Sequence, residues 1–220
     1  MKINNELLSN WRSLGILFSG APDQFADPEK TILESLPLVL SDSKITFLIS
    51  NWISQHGDVI HCERLLCLAK SKNLSYDEWM TLGAVVEYSV LAGHKLEALT
   101  RYIKSKIKKG RTVKTAEYMS LPITLGQCPP EPIFERYGIK VPTIEDMSSK
   151  ITDIKLIIKT NQWIKNRIFF GCNWRADIYT SLSQHKNQKK RMTTYRLAKD
   201  LGCSNETALR IRKNFELLAC

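Results

Sequence analysis

Hydrophobic residues recur along the first hundred positions at the three- and four-residue intervals of amphipathic helices. The stretch that opens at Asp27-Pro28 combines an N-cap carboxylate with a proline in the first helical position, and its pattern runs to about Leu40. A second stretch begins at Ser41 or Ser43. Because few glycines and prolines interrupt this pattern, the sequence predicts an all-α fold.

Further capping signals extend the series of helices. Asp58 is placed to cap a third helix, and Ser75 with Glu78 has the spacing of a capping box. Another helix is expected from about Lys95 to Lys109, where basic residues precede a glycine. We therefore expect residues 1–119 to form a helical domain that mediates oligomerisation or binds a partner.

Prolines concentrate in residues 120–147, which hold five of the eight in the chain. A proline cannot continue the interior of a helix, so we interpret this segment as an irregular connection between two parts of the protein. A single connecting helix is expected over residues 148–171. It would lead into a C-terminal unit formed by residues 172–220.

The C-terminal unit shows a short helix, a glycine turn and a second helix. Thr193 or Thr194 can cap the first helix, which ends at Leu201. Gly202 can adopt the positive φ that the turn requires, and Ser204 can cap the second helix. The residues expected to face inward and form a small core are Leu197, Ala198, Leu201, Cys203, Ala208 and Ile211.

This pattern resembles the helix-turn-helix of bacterial regulators, resolvases and sigma-type factors. The residues that carry the resemblance are Leu197-Ala198, Leu201-Gly202-Cys203-Ser204, Thr207-Ala208 and Ile211. It covers about 25 residues, or about 45 with a supporting helix near residues 174–183. It departs from the strictest form at Ala208, where a β-branched residue is commoner. Since the chain stops at Cys220, the resemblance implies a three-helix module without a wing.

The resemblance also implies which side chains would contact DNA. Those expected to reach base edges in the major groove are Asn205, Glu206, Leu209, Arg210 and Lys213. In this arrangement Arg210 would pair with guanine and Asn205 with adenine. Those expected to contact phosphates are Thr194, Tyr195, Ser204 and Thr207, with the basic run Lys186, Lys189, Lys190 and Arg191 upstream.

Charge is distributed unevenly in a chain whose net charge is +10. Residues 1–100 hold 8 Lys and Arg against 12 Asp and Glu, whereas residues 101–220 hold 24 against 10. Only the second half therefore suits a phosphate backbone. A run of cations in this half has two interpretations of equal weight, a second phosphate-contacting surface or a solvated helix end; it comprises Arg101, Lys104, Lys108, Lys109 and Arg111.

We expect no catalytic site, cofactor or metal. The spacing of His56, His61, Cys62 and Cys67 matches no standard pair of zinc ligands. The acidic residues Glu145, Asp146 and Asp153 do not form the arrangement that a nuclease needs. The polar N-terminus shows no signal peptide, so we expect a cytoplasmic protein of bacterial or phage origin with reduced cysteines and no membrane association.

The sequence thus predicts a non-enzymatic protein that binds double-stranded DNA, either as a transcriptional regulator or as an accessory factor. One such module offers few contacts, so a homo-oligomer on a pseudo-palindromic site is expected. Two alternatives stay open. One is an interaction protein of the antitoxin or phage-defence type, for which DNA binding is secondary. The other is an RNA-binding factor, although an aromatic stacking platform is missing.

Overall fold

Helices make up most of the chain, as the hydrophobic pattern predicts. The computed structural model describes residues 5–23, 25–106, 114–115, 131–185 and 192–218. Within these ranges there are twelve α-helices, two short 3-10 turns and one sheet of two short strands. The predicted all-α fold class is therefore confirmed.

Five of the first six helices correspond to the predicted series, and the first of the six was not predicted. They are α1 (Asn5–Ser13), α2 (Pro28–Val39), α3 (Ser43–His56), α4 (Cys62–Ser71), α5 (Tyr76–Leu91) and α6 (Glu97–Lys106). The Asp27 carboxylate accepts a hydrogen bond from the backbone N–H of Lys30 and caps α2, as predicted. The capping box of α5 is also confirmed, because Ser75 and Glu78 each accept the other's backbone N–H.

One predicted start is confirmed, and one predicted cap is wrong. The helix α3 begins at Ser43, and its cap is Asp42, whose carboxylate accepts from the backbone N–H groups of Lys44 and Ile45. A carboxylate is a stronger acceptor than the neighbouring hydroxyls. Asp58 caps nothing, because it lies inside the 3-10 turn Gly57–Val59. The next helix, α4, begins only at Cys62.

The first and larger core lies among α1 to α6 and is organised around two tryptophans. Trp11 and Trp52 are buried edge to face, with ring centroids 5.5 Å apart. Each indole N–H has a buried acceptor, the Ser35 hydroxyl for Trp11 and the Leu14 carbonyl for Trp52. Both polar groups are therefore satisfied inside the core, as buried donors require.

The segment expected to be an irregular connection, residues 120–147, belongs partly to this core. Its described residues form α7 (Pro132–Arg136) and β2 (Ile139–Lys140), which pairs in parallel with β1 (Lys114–Thr115). The prediction was wrong because a proline at the first helical position, behind the cap Glu131, can start a helix. Tyr137 is buried, and its hydroxyl donates to Glu87 at 2.5 Å.

The single helix expected over residues 148–171 is also wrong. The chain instead forms a 3-10 turn (Ser148–Lys150), α8 (Ile154–Thr160) and α9 (Gln162–Phe170). Asn161 is extended between α8 and α9, and its side-chain oxygen caps α9 at Ile164. Its amide nitrogen donates to Ser13 and Ala26 inside the first core. These three hydrogen bonds favour a break at a position that hydrophobic periodicity alone makes helical.

A second, smaller core lies among the last three helices. They are α10 (Trp174–Gln184), α11 (Thr194–Leu201) and α12 (Asn205–Leu218). Their buried residues pack around Trp163, which α9 contributes, while the next residue, Ile164, belongs to the first core. The helix α9 therefore lies between the two cores and contributes side chains to each.

Candidate nucleic-acid interface

The corner between α11 and α12 forms as the sequence predicts. The Thr193 hydroxyl accepts from the backbone N–H of Arg196 and caps α11, which ends at Leu201. Gly202 follows in the left-handed conformation with φ of 81°, and its N–H donates to the Ala198 carbonyl at 2.8 Å. A residue with a Cβ is strained at this φ, so the corner depends on glycine here.

The inner side of the corner is tightly buried. Leu197 and Leu201 of α11 face Ala208 and Ile211 of α12, and all four have exposed fractions below 10%. Ala198 is also buried, and Cys203 packs at the edge of this core. The predicted inward set is therefore confirmed, and the small side chain of Ala208 is accommodated without exposing its neighbours.

The outer side of α12 carries the predicted base-contacting residues, and every one of them is exposed. Arg210 and Lys213 supply two cations, Leu209 is 44% exposed, and Asn205 and Glu206 lie in the first turn. This spacing puts them on the side opposite Ala208 and Ile211. This face can therefore form hydrogen bonds, charge contacts and an apolar contact with a ligand that extends along the helix.

The predicted phosphate-contacting residues have mixed placements. Tyr195 is 66% exposed, whereas Thr194 and Thr207 are half-buried. The Ser204 hydroxyl accepts from the Thr207 N–H at 3.1 Å and donates to the Thr207 hydroxyl at 2.9 Å, so it caps α12. The basic run Lys186, Lys189, Lys190 and Arg191 lies outside the described residues.

Three cations near the corner were not predicted. Arg196 and Lys199 are exposed on α11, and Arg196 Nε lies 3.7 Å from Asp200. Arg212 Nη1 donates to the Met192 carbonyl at 2.7 Å, which fixes the segment before α11 against α12. The alternation of Arg196 and Lys199 with inward residues was a signal for the first two. The contact of Arg212 has no sequence signal.

The second basic surface is only partly described. Arg101 is exposed on α6, while Lys104 Nζ lies 2.9 Å from Glu87 and is thereby paired. Lys108, Lys109 and Arg111 lie outside the described residues. The described part of this surface therefore offers Arg101 as an exposed cation, while Lys104 is already paired with Glu87.

A buried ionic cluster, made of Asp27, Glu29, Arg64, Arg167 and Asp177, attaches the last helices to the first core. Arg167 donates to Glu29 with both terminal nitrogens and to Asp177 with Nε and Nη2, at 2.7 to 2.9 Å. Arg64 contacts both Asp27 and Glu29. The cluster thereby joins α2, α4, α9 and α10, and it sets the position of the helix against which α12 packs.

The environment of this cluster keeps the carboxylates of Asp27 and Asp177 charged. Burial by itself would raise the pKa of Asp177, but Arg167, a hydrogen bond from His61 and Arg64 together lower it. Burial likewise opposes ionisation of Asp27, and Arg64 nevertheless lowers the pKa of Asp27 to about 2. Charges taken out of water need such pairing, so removing any one partner leaves an uncompensated buried charge.

The histidines considered above as metal ligands contact other groups of the protein. His61 Nδ1 lies 2.6 Å from Asp177, and His56 Nε2 lies 3.1 Å from the Thr152 carbonyl. No group of three or more His, Cys, Asp and Glu side chains is placed to hold a metal within the described ranges. Burial raises the pKa of Cys172 to about 12 and that of Cys203 to about 11, so both thiols are protonated at neutral pH and poor nucleophiles.

Comparison of the chain with protein-family models, with curated proteins and with solved structures finds no match. Among the described helices, none combines the length and apolar character that crossing a bilayer requires.

Proposed function

We propose that this chain binds double-stranded DNA and reads its sequence with the exposed face of α12. The observation that carries the proposal is that α12 has one buried side and, opposite it, one exposed side. Ala208 and Ile211 are buried against α11, while Asn205, Leu209 and Arg210 are exposed. A helix held on one side by a packed corner can enter a major groove with the other.

Electrostatics support the proposal. Residues 155–220 hold 14 Lys and Arg against 4 Asp and Glu. One of the four acids, Asp177, and one of the fourteen cations, Arg167, are buried together in the ionic cluster and contribute nothing to the outer surface. The exposed charge around α11 and α12 is therefore predominantly positive, which suits a polyanion.

A binding titration tests this function. Fluorescence anisotropy with a labelled random-sequence duplex should give affinity that falls steeply as salt rises, since bound cations release counterions from DNA. The Arg210→Ala variant should bind more weakly than the wild type. Lys155→Ala, which removes an exposed cation from α8, is the matched control and should leave affinity unchanged. Absence of salt-dependent binding in the wild type would refute the proposal.

A second candidate function is that of an interaction protein, with DNA binding secondary. It is favoured by three consecutive exposed apolar residues at the end of α9, Ile168, Phe169 and Phe170, of which Phe169 is 73% exposed. Phe170 also contacts Tyr179 and Phe215, so the apolar surface continues onto α10 and α12. Such surfaces are typical of places where another protein binds.

Light scattering after size exclusion separates the two candidates. If the purified chain is a dimer that Phe169→Ser makes monomeric, the apolar residues join two copies of the DNA-binding protein. If the chain is monomeric and a second protein co-purifies from native cells in stoichiometric amount, the interaction function is favoured.

A further inference from the structure

The turn of the helical corner rests on the C-terminal half of α4. A Cβ added at Gly202 would lie 3.3 Å from the Cβ of Cys67 and 3.5 Å from a terminal methyl carbon of Leu68. The helix α12 begins at Asn205, three residues after this turn. Lys70 is exposed three residues after Cys67, so it lies on the same side of α4, one turn further along. The first turn of the proposed reading helix therefore has a cation of α4 nearby.

Two lysines from different helices meet at one aromatic ring. Lys70 Nζ lies 4.4 Å from the centroid of the Tyr102 ring, and Lys106 Nζ lies 5.3 Å from the same centroid. Tyr102 is on α6, which packs against α4, and its ring contacts that of Trp79 with the two centroids 5.8 Å apart. The face of an aromatic ring attracts cations, so both ammonium groups are held at defined positions.

Carboxylates do not neutralise this lysine pair. Within the ranges that the structure describes, no carboxylate oxygen lies within ion-pair distance of Lys70 or Lys106. The one acid of α4, Glu63, is seven positions from Lys70, and the one acid of α6, Glu97, is nine positions from Lys106. Two like charges therefore lie beside one ring without an ion-pair partner from the described part of the chain.

The helix dipole alone does not account for this arrangement. Lys70 is in the last turn of α4 and Lys106 is in the last turn of α6, where the partial negative charge of a helix end favours a cation. That effect acts on each helix separately, and it leaves the repulsion between the two ammonium groups uncompensated. A bound anion that contacts both groups would compensate this repulsion.

We propose that Lys70 and Lys106 contact the phosphate backbone of the DNA duplex beside the stretch that α12 reads. These contacts presuppose the proposed function and add a second surface to it. The location favours double-stranded DNA as the anion, because Lys70 lies on the side of α4 that supports the Gly202 turn. A single helix-turn-helix module offers few contacts, so two further phosphate contacts raise its affinity. Phosphate contacts carry no sequence information, and the recognised motif is therefore independent of them.

The salt dependence of DNA binding tests the lysine pair. Fluorescence anisotropy of the full chain with a long labelled duplex gives the slope of log affinity against log salt concentration, which reports how many phosphates the protein neutralises. The double variant with Lys70→Gln and Lys106→Gln should reduce the magnitude of this slope by about 2, since each lost phosphate contact reduces it by about 1. Its binding should weaken about equally on every duplex sequence. The double variant with Lys70→Arg and Lys106→Arg keeps both charges and should keep the slope of the wild type.

A matched control and the wild type separate the possible failures. Lys155→Gln, which removes an exposed cation from α8, is the control and should leave the slope unchanged. If the glutamine double variant has the slope of the wild type, the lysine pair does not contact DNA, and the proposed function stands without it. Absence of salt-dependent binding in the wild type would overturn both. A loss confined to the preferred motif would also overturn the assignment, because backbone contacts act on all sequences. A circular-dichroism melt of each variant establishes that it is folded.

Discussion

Arg167 donates both of its terminal nitrogens to the two carboxylate oxygens of Glu29, at 2.7 Å each, across 138 positions of sequence. Both side chains are buried, and the same guanidinium also holds Asp177 at the beginning of α10. This bidentate pair fixes the last helices against the first core. The position of the proposed DNA-reading helix therefore depends on an ion pair far from its exposed face.

Removing the arginine should be strongly destabilising. Arg167→Met leaves Glu29 and Asp177 with fewer cations in a buried site, and breaking a buried pair in this way costs about 3–5 kcal/mol. We expect this loss in the free energy of unfolding measured by urea denaturation. Lys165→Met on the same helix is the control, because Lys165 is exposed and its loss should cost less than about 1 kcal/mol. Similar losses for the two variants would contradict this account of the cluster.

Lowering the pH should reduce the stability of the protein, because it protonates Asp27. Its pKa is lowered from 3.8 to about 2 in the folded chain, so the stabilisation is complete above the unfolded pKa and is lost as pH falls between these values. A shift of this size corresponds to about 2 kcal/mol. Between about pH 5 and about pH 2, the free energy of unfolding should therefore decrease more for the wild type than for Asp27→Asn, whose side chain cannot titrate.

The control for the acid experiment is Glu135→Gln on the surface of α7. Between the two pH values, the free energy of unfolding of Glu135→Gln should decrease by an amount closer to the wild-type decrease than to the decrease of Asp27→Asn. If Asp27→Asn instead loses as much free energy as the wild type, the carboxylate of Asp27 is not the group whose protonation matters.

An alanine substitution should destabilise the protein more at Gly202, in the turn between α11 and α12, than at another glycine with a similar backbone conformation. Gly202 has φ of +81°, and a Cβ added there would lie 3.3 Å from the Cβ of Cys67 on α4. Gly93 has φ of +91° and open space around its Cβ position. Both substitutions incur about 1–2 kcal/mol of backbone strain, and Gly202→Ala adds a packing cost. Thermal melts should show the larger decrease in Tm for Gly202→Ala; equal decreases would mean that the turn does not pack on α4.

Local features were predictable because they depend on neighbouring residues. The Asp27-Pro28 start, the Ser75 capping box and the Gly202 turn each involve a few adjacent positions, and each forms as expected. The inward and outward sides of α12 also follow from helical spacing. These features define most of the proposed site, since the exposed face is what remains once Ala208 and Ile211 are buried.

Long-range features were not predictable in the same way. The break at Asn161 depends on hydrogen bonds to Ser13 and Ala26, more than 130 positions away in sequence. The ionic cluster joins four helices, and no local pattern indicates that Arg64 and Arg167 meet the same carboxylate. One signal was present, because Arg167 lies on the same side of α9 as the buried residues Trp163 and Ile164.

We propose that the exposed face of α12 recognises DNA by its sequence. The most direct measurement is repeated selection of a random duplex pool on the purified wild type, Arg210→Ala and Lys155→Ala. We expect one enriched motif for the wild type and for Lys155→Ala. In Arg210→Ala this motif should be lost or relaxed, because the free energy of specific binding should weaken by about 1–3 kcal/mol. Retention of DNA without an enriched motif, or a motif unchanged by Arg210→Ala, would contradict it.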